Sequence, residues 1–504
     1  MSNTLLDLDA PSLLDPEDWA DFRAQAHAAL DTALEFIEQR QQGAVWQELP
    51  SSVTALDQPL PRKGAPLDSL VSDVQKKIMP YTLGNTHPRF WGWVHGSGTP
   101  SGLVAQMMMA AINANMGGRE HAPIYVERQV IRWLVELFAL PEGASGVICT
   151  GTSTATLLGL SVARHKKVGQ VLRSAGNAAM PGLRAYASGQ VHVSVSKALE
   201  LMGLGTEALC AVPVASNYSM DVNALEAQLQ ADIAEGLEPF VVVSCVGSVN
   251  SGAIDDLQAI NRLCRKYGVW HHVDGAFGAL SILSESLRPR IAGIEEADSI
   301  AFDFHKWMHV GYAAGCLLVA DGEQHRATFA TSQAYLKAES QGERVGMSGG
   351  APWPTDFGVE LSRGFSALAV WFQLREMGTE RLGRAIYRNC LQASKLAEAV
   401  TEQPELQLLA PVSLNIVCFR YAPQFLSEEA LNDLNRRIVI ELQCRGIAAP
   451  SSTVLDGRTV IRVAITNHRT RWSDLQALLN ETLALGAELQ ADAGLTSSVL
   501  SANF

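Results

Sequence analysis

Two segments decide the fold of this chain: His271-His272-Val273-Asp274-Gly275-Ala276-Phe277-Gly278 and Asp298-Ser299-Ile300-Ala301-Phe302-Asp303-Phe304-His305-Lys306-Trp307. Each contains a short apolar run that predicts a buried strand, and each places a polar side chain where the strand ends. Asp274 lies at the carboxyl end of the first strand, and Lys306 follows the end of the second. If the strands are parallel, both side chains face one crevice at the same edge of the sheet.

Alternating strand and helix patterns extend on both sides of these segments. Apolar runs predict strands at 147–149, 184–187, 209–212, 240–244, 269–273, 299–302 and 315–319, and helical spacing predicts helices at 153–164, 193–201, 222–233 and 257–267. This alternation predicts an α/β fold with a mostly parallel, doubly wound sheet and helices on both faces.

The remaining patterns predict three regions: an N-terminal helical arm (1–86), a large domain (87–384) and a smaller C-terminal α/β domain (385–504). In the arm, Asp15-Pro16-Glu17-Asp18 has the composition of a helix start, and apolar residues then recur every three or four positions. A long helix is predicted over Phe357–Glu376. The C-terminal region mixes helices with strands predicted at 414–419 and 459–465.

The composition excludes several classes of protein. The chain has 504 residues, of which 47% are hydrophobic and 18% charged, and its formal net charge is −13. A disordered chain would be less apolar and more charged. The negative charge argues against binding to nucleic acid or to an anionic membrane. The small charged fraction favours an oligomer that buries additional surface.

Three stretches contain no Asp, Glu, Lys or Arg: 90–118, 143–163 and 307–320. Gly, Ser, Thr, Asn or Pro interrupt the two that are long enough to span a membrane, so we expect buried segments of a soluble protein. The acidic start lacks the features of a signal peptide. The eight cysteines are scattered without CxxC spacing, so we expect no metal site and a cytoplasmic location.

Lys306 and Asp274 are the two groups that a pyridoxal phosphate site requires. A lysine beside aromatic and apolar residues is a candidate for a lowered pKa and a nucleophilic amine. An aspartate can hold the protonated ring nitrogen that makes the cofactor an electron sink. Each residue alone has an ordinary alternative, because an aspartate after a strand commonly caps a helix and a His-Lys dipeptide is common.

The ordered segments resemble the group II pyridoxal-phosphate-dependent amino acid decarboxylases, which include aromatic amino acid and glutamate decarboxylases. The resemblance runs from about His87 to Thr470 and also rests on 87–91 (HPRFW), 150–156 (TGTSTAT), 247–255 (GSVNSGAID) and 461–470 (IRVAITNHRT). It implies the aspartate aminotransferase-like fold of type I and decarboxylation of an L-amino acid to an amine and carbon dioxide. It also implies a homodimer whose site lies near the interface.

The resemblance further implies a role for each matching position. Lys306 would form the Schiff base with pyridoxal phosphate, and Asp274 would pair with the pyridinium nitrogen. His192 would stack on the cofactor ring and take part in proton transfer, and Ala276 would press on its other face. The residues that would hold the phosphate are Thr152, Ser153, His305 and Asp303.

The phosphate assignment also has support from the residues themselves. Gly151-Thr152-Ser153 lies between a predicted strand and a predicted helix. Free backbone N–H groups at a helix start favour an anion, and hydroxyl groups add donors. A plain Ser/Thr helix cap is the alternative.

Aromatic residues mark the region that lines the substrate side-chain pocket in the family. Trp91, Trp93 and His95 lie in it, which favours an aromatic or apolar substrate, although packing in the core is the alternative. His121 lies in a stretch that can reach the neighbouring subunit's site in the family, so a polar substrate stays open. Trp353 is assigned to the pocket from the loop before the long helix.

That loop departs from the family pattern. Family decarboxylases usually carry there a tyrosine that helps to protonate the intermediate after carbon dioxide leaves, whereas Gly342–Gly358 contains no Tyr and Tyr335 precedes it. Its Gly- and Pro-rich composition suits a lid. Without this acid the intermediate could react with oxygen and give an aldehyde, unless His192 or a group from the partner supplies the proton.

Two further alternatives come from other classes of protein. A nicotinamide-dependent oxidoreductase on a doubly wound sheet would carry G-x-G-x-x-G between its first strand and helix, and this motif is missing there. A non-catalytic protein with the same fold would not need both Lys306 and Asp274.

Overall fold

The computed structural model describes residues 14–51, 53, 59–331, 347 and 349–492. Its α-helices are α1 (Trp19–Gln39), α2 (Leu67–Asp73), α3 (Pro100–Ile112), α4 (Ala122–Leu137), α5 (Thr152–Val168), α6 (Leu172–Ala175), α7 (Ser194–Leu201), α8 (Val222–Ala234), α9 (Leu257–Tyr267), α10 (Gly322–Phe329), α11 (Ser366–Thr401), α12 (Glu428–Cys444) and α13 (Trp472–Asp492). Its strands are β1 (Phe90–Trp91), β2 (Ser145–Cys149), β3 (Leu183–Ser188), β4 (Leu209–Val212), β5 (Glu238–Cys245), β6 (Trp270–Asp274), β7 (Ser299–Asp303), β8 (Gly315–Val319), β9 (Leu406–Leu408), β10 (Ile416–Tyr421), β11 (Ala449–Leu455) and β12 (Arg458–Ala464).

A seven-stranded sheet has the order β2-β8-β7-β6-β5-β3-β4. Strand β8 runs antiparallel to both of its neighbours, whereas β4, β3, β5, β6 and β7 pair in parallel. Every residue of β6, β7 and β8 is buried, as expected for strands with helices on both faces. The predicted α/β class with a mostly parallel sheet is confirmed.

Most elements of this sheet lie where the apolar patterns predict them, and three have the predicted bounds: β4, α9 and β8. Helix α9 illustrates the reason. Its buried residues lie three or four positions apart, the Asp256 carboxylate accepts the Ala259 N–H at its start, and Gly268 ends it with φ 65°. Spacing, cap and left-handed glycine are all local signals.

Two helix starts differ from the prediction by more than one residue. Helix α1 begins at Trp19 rather than near Asp15, because the Asp18 carboxylate accepts the N–H groups of Ala20 and Asp21. The long helix α11 begins at Ser366 instead of Phe357, and residues 354–357 form only a short 3₁₀ turn. Apolar spacing then continues to Thr401 across Gly378, whose φ of 67° interrupts the helix.

A second sheet of five strands has the order β1-β11-β12-β10-β9. Helices α12 and α13 pack against it, and β1 pairs in parallel with β11. A strand within the range 87–384 therefore joins the C-terminal sheet, and the boundary between 384 and 385 falls inside α11. The division into three domains stays a prediction.

The sheet topology brings several loops to one edge of the larger sheet. Strands β6 and β7 are parallel neighbours, and Asp274 pairs with Ala301 in their register. Strand β2 also points its carboxyl end to this edge, since two successive antiparallel pairings through β8 separate it from β7. The end of β6, the end of β7 and the start of α5 thus lie close together. Within the described ranges, no helix is long and apolar enough to cross a membrane.

Candidate active site

Lys306 and Asp274 lie at the edge where β6 and β7 end. Asp274 is 5% exposed, and its Oδ1 accepts the Ala276 N–H at 3.1 Å. Burial raises the pKa of Asp274, and the positive charge of Lys306 opposes this rise. Lys306 Nζ lies 2.9 Å from Asp303 Oδ2. Asp274 and Lys306 therefore lie close enough for the charge of Lys306 to act on the Asp274 carboxyl group.

His192 lies beside the same two residues, in the turn between β3 and α7. Its Nδ1 is 2.9 Å from Ser194 Oγ, and its side chain is exposed. Partial desolvation lowers the pKa of His192, with Asp274 opposing the change and Lys306 reinforcing it. The imidazole is therefore neutral at neutral pH, with a nitrogen that can accept a proton.

Thr152 begins α5 directly opposite Asp303. Its backbone N–H donates to Asp303 Oδ1 at 2.6 Å. Its Oγ1 is buried without a hydrogen-bond partner in the described part of the chain, while Ser153 is exposed. A buried orphan hydroxyl costs about 1–3 kcal/mol, and the positive end of a 17-residue helix attracts an anion. A phosphate group fits this donor set.

Asp303 and His305 both lie beside this anion site, but they differ in the hydrogen bonds that they can make to an anion. An ionised carboxylate accepts but does not donate hydrogen bonds, so Asp303 would orient Thr152 and Lys306 around a phosphate rather than bind it. His305 Nδ1 lies 2.9 Å from the Ala314 carbonyl, and its Nε2 is 3.6 Å from Asp303 Oδ2. Burial lowers the pKa of His305, and Asp303 opposes this change.

Ala276 follows Asp274 in the turn after β6, and its side chain is partly buried. Its carbonyl accepts the Asp303 N–H at 3.0 Å. This bond ties the turn after β6 to the end of β7. A cofactor ring whose nitrogen faces Asp274 would lie next to Ala276, two positions further along the chain.

An aromatic wall, which we define as Phe90, Trp93 and His95, approaches Lys306 through His95, whose pKa is lowered by burial and by the charge of Lys306. The His95 ring is 5.8 Å from the Phe90 ring and 6.0 Å from the Trp93 ring, and Trp93 is 55% exposed. A Cβ on Gly96 would lie 2.1 Å from the His305 carbonyl oxygen. The chain at 95–97 therefore runs directly against the backbone that carries Lys306.

Three other residues predicted for the substrate pocket make no direct contact with Lys306 in the described part of the chain. Trp91 is 1% exposed in the core of the small sheet, and its Nε1 donates to Thr470 Oγ1 at 3.2 Å. Trp353 is 6% exposed and donates to the Gly349 carbonyl. His121 precedes α4. In the described ranges, no hydrogen bond, ion pair or ring contact joins these three to Lys306, and their pocket role stays a prediction.

Two residues at the site were not singled out from the sequence. The Tyr312 hydroxyl lies 3.1 Å from His95 Nδ1, and its ring is 4.4 Å from the His305 ring. Buried Arg462 donates to the Trp93 carbonyl at 2.9 Å and to the Asn250 carbonyl at 3.1 Å. Arg462 lies in the segment 461–470, which contributes to the family resemblance. Tyr312 lies six positions after Lys306 in a charge-free run, which was its only signal.

The structure describes only part of the loop in which family decarboxylases carry their tyrosine. Tyr335, residues 342–346 and residue 348 lie outside the described residues. In the part of the loop that begins at Gly349, the carbonyls of Gly350 and Pro352 accept hydrogen bonds from the Arg128 side chain. The Tyr-free character of Gly342–Gly358 thus remains a feature of the sequence.

Comparisons with known proteins identify the family of the chain. The family model described as the pyridoxal-dependent decarboxylase conserved domain matches residues 50–422. The chain is 28% identical over 479 residues to an aromatic-L-amino-acid decarboxylase of Bacillus atrophaeus, covering 93% of this chain and 96% of that protein. It is also 28% identical over 472 residues to a phenylacetaldehyde synthase of Arabidopsis thaliana, covering 90% and 93%.

Solved structures share the fold. The glutamate decarboxylase domain of a diaminobutyrate-pyruvate transaminase and L-2,4-diaminobutyrate decarboxylase from Vibrio parahaemolyticus superposes with a TM-score of 0.80 at 28% identity, covering 95% of this chain and 97% of that one. Oryza sativa TDC with pyridoxal phosphate and tryptamine gives a TM-score of 0.86 at 24% identity, covering 94% and 99%. The chain belongs to the pyridoxal-dependent decarboxylase family, with the type I fold, and is a pyridoxal-phosphate-dependent carboxy-lyase acting on amino acids.

Proposed function

We propose that this enzyme converts an aromatic L-amino acid into its amine and carbon dioxide. The observation that carries the proposal is that His95 lies near enough to Lys306 for the lysine charge to lower its pKa, while the rings of Phe90 and Trp93 contact the His95 ring. A flat apolar side chain gains most from burial against such rings. The relatives named as aromatic amino acid, tyrosine and tryptophan decarboxylases support the same substrate class.

Bound pyridoxal phosphate supplies an electron sink for the pair of electrons left when carbon dioxide departs. Lys306 would hold the cofactor covalently through its amine. Asp274 would face the ring nitrogen, because a carboxylate buried to 5% exposure is costly when ionised unless a positive charge adjoins it. Asp274 would therefore keep that nitrogen protonated.

The other residues position the cofactor and move protons. Thr152 and Ser153 would bind the phosphate at the start of α5, with His305 beside them. His192 would lie over the ring and exchange a proton with the substrate, for which a neutral imidazole is suited. Ala276 would limit the opposite face.

The assignment of Lys306 is tested by reduction of the purified holoenzyme with borohydride, followed by peptide mapping. We expect the reduced cofactor on Lys306 and loss of the visible absorbance of the lysine-bound cofactor in Lys306→Ala. The matched control is Lys266→Ala, because Lys266 lies on the surface in an ion pair with Glu226. Recovery of the cofactor on another lysine would contradict the assignment.

A second candidate is decarboxylation-dependent aldehyde synthesis. Two observations favour it: residues 342–358 contain no Tyr, and phenylacetaldehyde synthases are among the relatives. In that reaction an amino acid, oxygen and water give an aldehyde, carbon dioxide, ammonia and hydrogen peroxide. We place the amine first because its formation needs only a proton and no second substrate.

Product analysis separates the two reactions. Amine formation without oxygen uptake excludes the aldehyde route, whereas aldehyde with an equal amount of peroxide excludes the amine route. Tyr335→Phe asks whether the tyrosine before the loop supplies the proton. If it does, the variant should divert product from amine to aldehyde, and an unchanged product ratio would assign the proton to another group such as His192.

We also propose a homodimer, with its site near the interface. Helix α1 has no buried residue within the protomer. Helix α3 exposes Val104, Met107, Met108 and Ile112, of which Val104, Met108 and Ile112 recur every four positions. Such an apolar surface is typical of an interface with another chain. A second copy is the occupant that the family resemblance implies.

The oligomeric state is tested by sedimentation velocity. Met108→Glu should shift the dimer toward the monomer, since it places a charge in the exposed apolar row of α3. Leu201→Glu on α7 is the control, because Leu201 is more exposed but lies outside that row. A monomeric wild type would exclude the proposal. We keep the cytoplasmic location as a proposal, which the eight free cysteines support.

A further inference from the structure

His95 and Tyr312 form a hydrogen-bonded pair inside an otherwise aromatic pocket wall. The Tyr312 hydroxyl lies 3.1 Å from His95 Nδ1, and the Tyr312 ring packs 4.4 Å from the His305 ring. His95 also contacts the rings of Phe90 and Trp93. One polar pair thus lies between the apolar wall and the residues around Lys306.

The hydrogen-bonding capacity of this pair is only partly used. The Gly96 backbone also hydrogen-bonds the Tyr312 hydroxyl, so a hydroxyl that donates to Nδ1 is satisfied. His95 Nε2 then carries the hydrogen, and no hydrogen bond to another described residue satisfies it. In the other tautomer Nδ1–H donates to Tyr312, whose own O–H becomes the donor. Either arrangement leaves one donor for a ligand.

The charges nearby favour a neutral ligand group over an anionic one. Burial lowers the pKa of His95, and the charges of Lys306 and His305 add to this effect, so the imidazole is neutral at neutral pH. Lys306 is paired with Asp303. Arg462 donates to the Trp93 and Asn250 carbonyls. Arg462 Nη2 has no hydrogen-bond partner among the described residues, but Arg462 is only 3% exposed, so burial shields this cation from a ligand side chain at the wall.

We propose that His95 and Tyr312 are specificity-determining residues that bind a hydroxyl group on the aromatic ring of the substrate. This inference rests on the proposed aromatic amino acid decarboxylation. The phenol oxygen accepts the hydrogen that the pair offers, while the ring packs against Phe90 and Trp93. Tyr312 is 54% exposed in the protomer, so water can satisfy this donor before substrate binds. An unsubstituted ring would displace that water without replacing its hydrogen bond, so the enzyme prefers the hydroxylated substrate.

The test compares L-tyrosine with L-phenylalanine as substrates of the holoenzyme, scored as the ratio of their kcat/KM values. Tyr312→Phe keeps the ring against His305 and removes only the hydroxyl. We expect the ratio to fall about tenfold, the size of one hydrogen bond, with most of the loss in the L-tyrosine value. His95→Phe should lower the ratio similarly, and His95→Gln, which keeps an N–H donor, should retain more of it.

Tyr218→Phe is the matched control, because the Tyr218 hydroxyl bonds Asp456 at 2.7 Å outside this wall. It should leave the ratio unchanged. A second readout is competition by 3-(4-hydroxyphenyl)propionate and 3-phenylpropionate, whose affinity ratio should fall in the same variants. Such a parallel loss would not follow from a merely structural role.

The failures of the two proposals are distinguishable. If none of L-tyrosine, L-phenylalanine and L-tryptophan yields carbon dioxide, the proposed function fails, whereas turnover of L-tryptophan alone would overturn only the specificity inference. If the wild type decarboxylates both but favours L-phenylalanine, or if Tyr312→Phe and His95→Phe leave the ratio unchanged, the specificity inference fails and the decarboxylase stands.

Discussion

Replacement of Thr152 by valine should have opposite effects on the cofactor-free and the cofactor-bound enzyme. Thr152 Oγ1 is buried without a hydrogen-bond partner among the described residues, at the first position of α5. Valine has nearly the same shape and removes only the hydroxyl. The backbone N–H that donates to Asp303 remains.

The magnitudes follow from the two environments. Without cofactor, the orphan hydroxyl costs about 1–3 kcal/mol, so Thr152→Val should raise the free energy of unfolding by up to that amount. With cofactor, the hydroxyl would donate to an anionic phosphate, a bond worth about 1.5–3 kcal/mol. Pyridoxal phosphate should therefore bind about 10- to 150-fold more weakly.

The neighbouring Thr156 provides a matched control. Its Oγ1 is also buried without a partner in the described residues, one turn further along the same helix. Thr156→Val should stabilise the cofactor-free protein in the same way but leave the dissociation constant unchanged. The assays are urea unfolding of the cofactor-free protein and titration with pyridoxal phosphate followed by absorbance.

The reasoning would be refuted by an unchanged dissociation constant in Thr152→Val. It would also be refuted if Thr156→Val weakened cofactor binding to the same degree, because the phosphate would then not lie at the start of α5. A cofactor-free Thr152→Val that is less stable than the wild type would contradict the orphan-hydroxyl argument alone.

The remaining predictions concern the ring nitrogen, a close backbone contact and the pH dependence of stability. Asp274→Asn should keep cofactor bound but lower kcat about 10²- to 10³-fold, because a neutral amide stabilises the protonated ring poorly; normal turnover in steady-state assays would refute this role. Gly96→Ala should destabilise the fold by about 1–3 kcal/mol or more, since its Cβ would lie 2.1 Å from the His305 carbonyl oxygen; Gly364→Ala, with open space around it, is the control in thermal unfolding. Burial lowers the pKa of His325 to about 4. Between about pH 4 and 6.5 the folded state therefore binds fewer protons than the unfolded state. The free energy of unfolding then falls as the pH decreases through this window. His325→Gln should reduce that slope by about 1.4 kcal/mol per pH unit in unfolding titrations, and an unchanged slope would show that His325 does not titrate there.

Local signals account for how well the larger sheet could be predicted. Strand β8 carries an uninterrupted apolar run, and helix α9 carries apolar residues at helical spacing between an Asp cap and a left-handed glycine. Parallel order then places Asp274 and Lys306 at one edge, as expected from the alternation of strands and helices. The start of α11 was wrong because residues 358–365 form no helix, and the apolar Val359 and Leu361 are exposed rather than part of a buried helical face.

The pocket wall was harder to predict because its parts are far apart in the sequence. Phe90 and Trp91 are adjacent, yet Trp91 packs in the core of the small sheet while the wall continues through Trp93 and His95. The pairing of β1 with β11 fixes this division. A sequence pattern gives the alternation of side chains but not which partner strand covers each face.

Short-range periodicity and ordered motifs were sufficient to predict the α/β class, the family and the lysine–aspartate pair. Three other features emerge only from the folded chain: Tyr312 meets His95, Asp303 joins Thr152 to Lys306, and the Thr152 hydroxyl lies buried without a partner in the described chain. These contacts link residues up to 217 positions apart. Their geometry depends on how the loops at the sheet edge pack together, which no local pattern specifies.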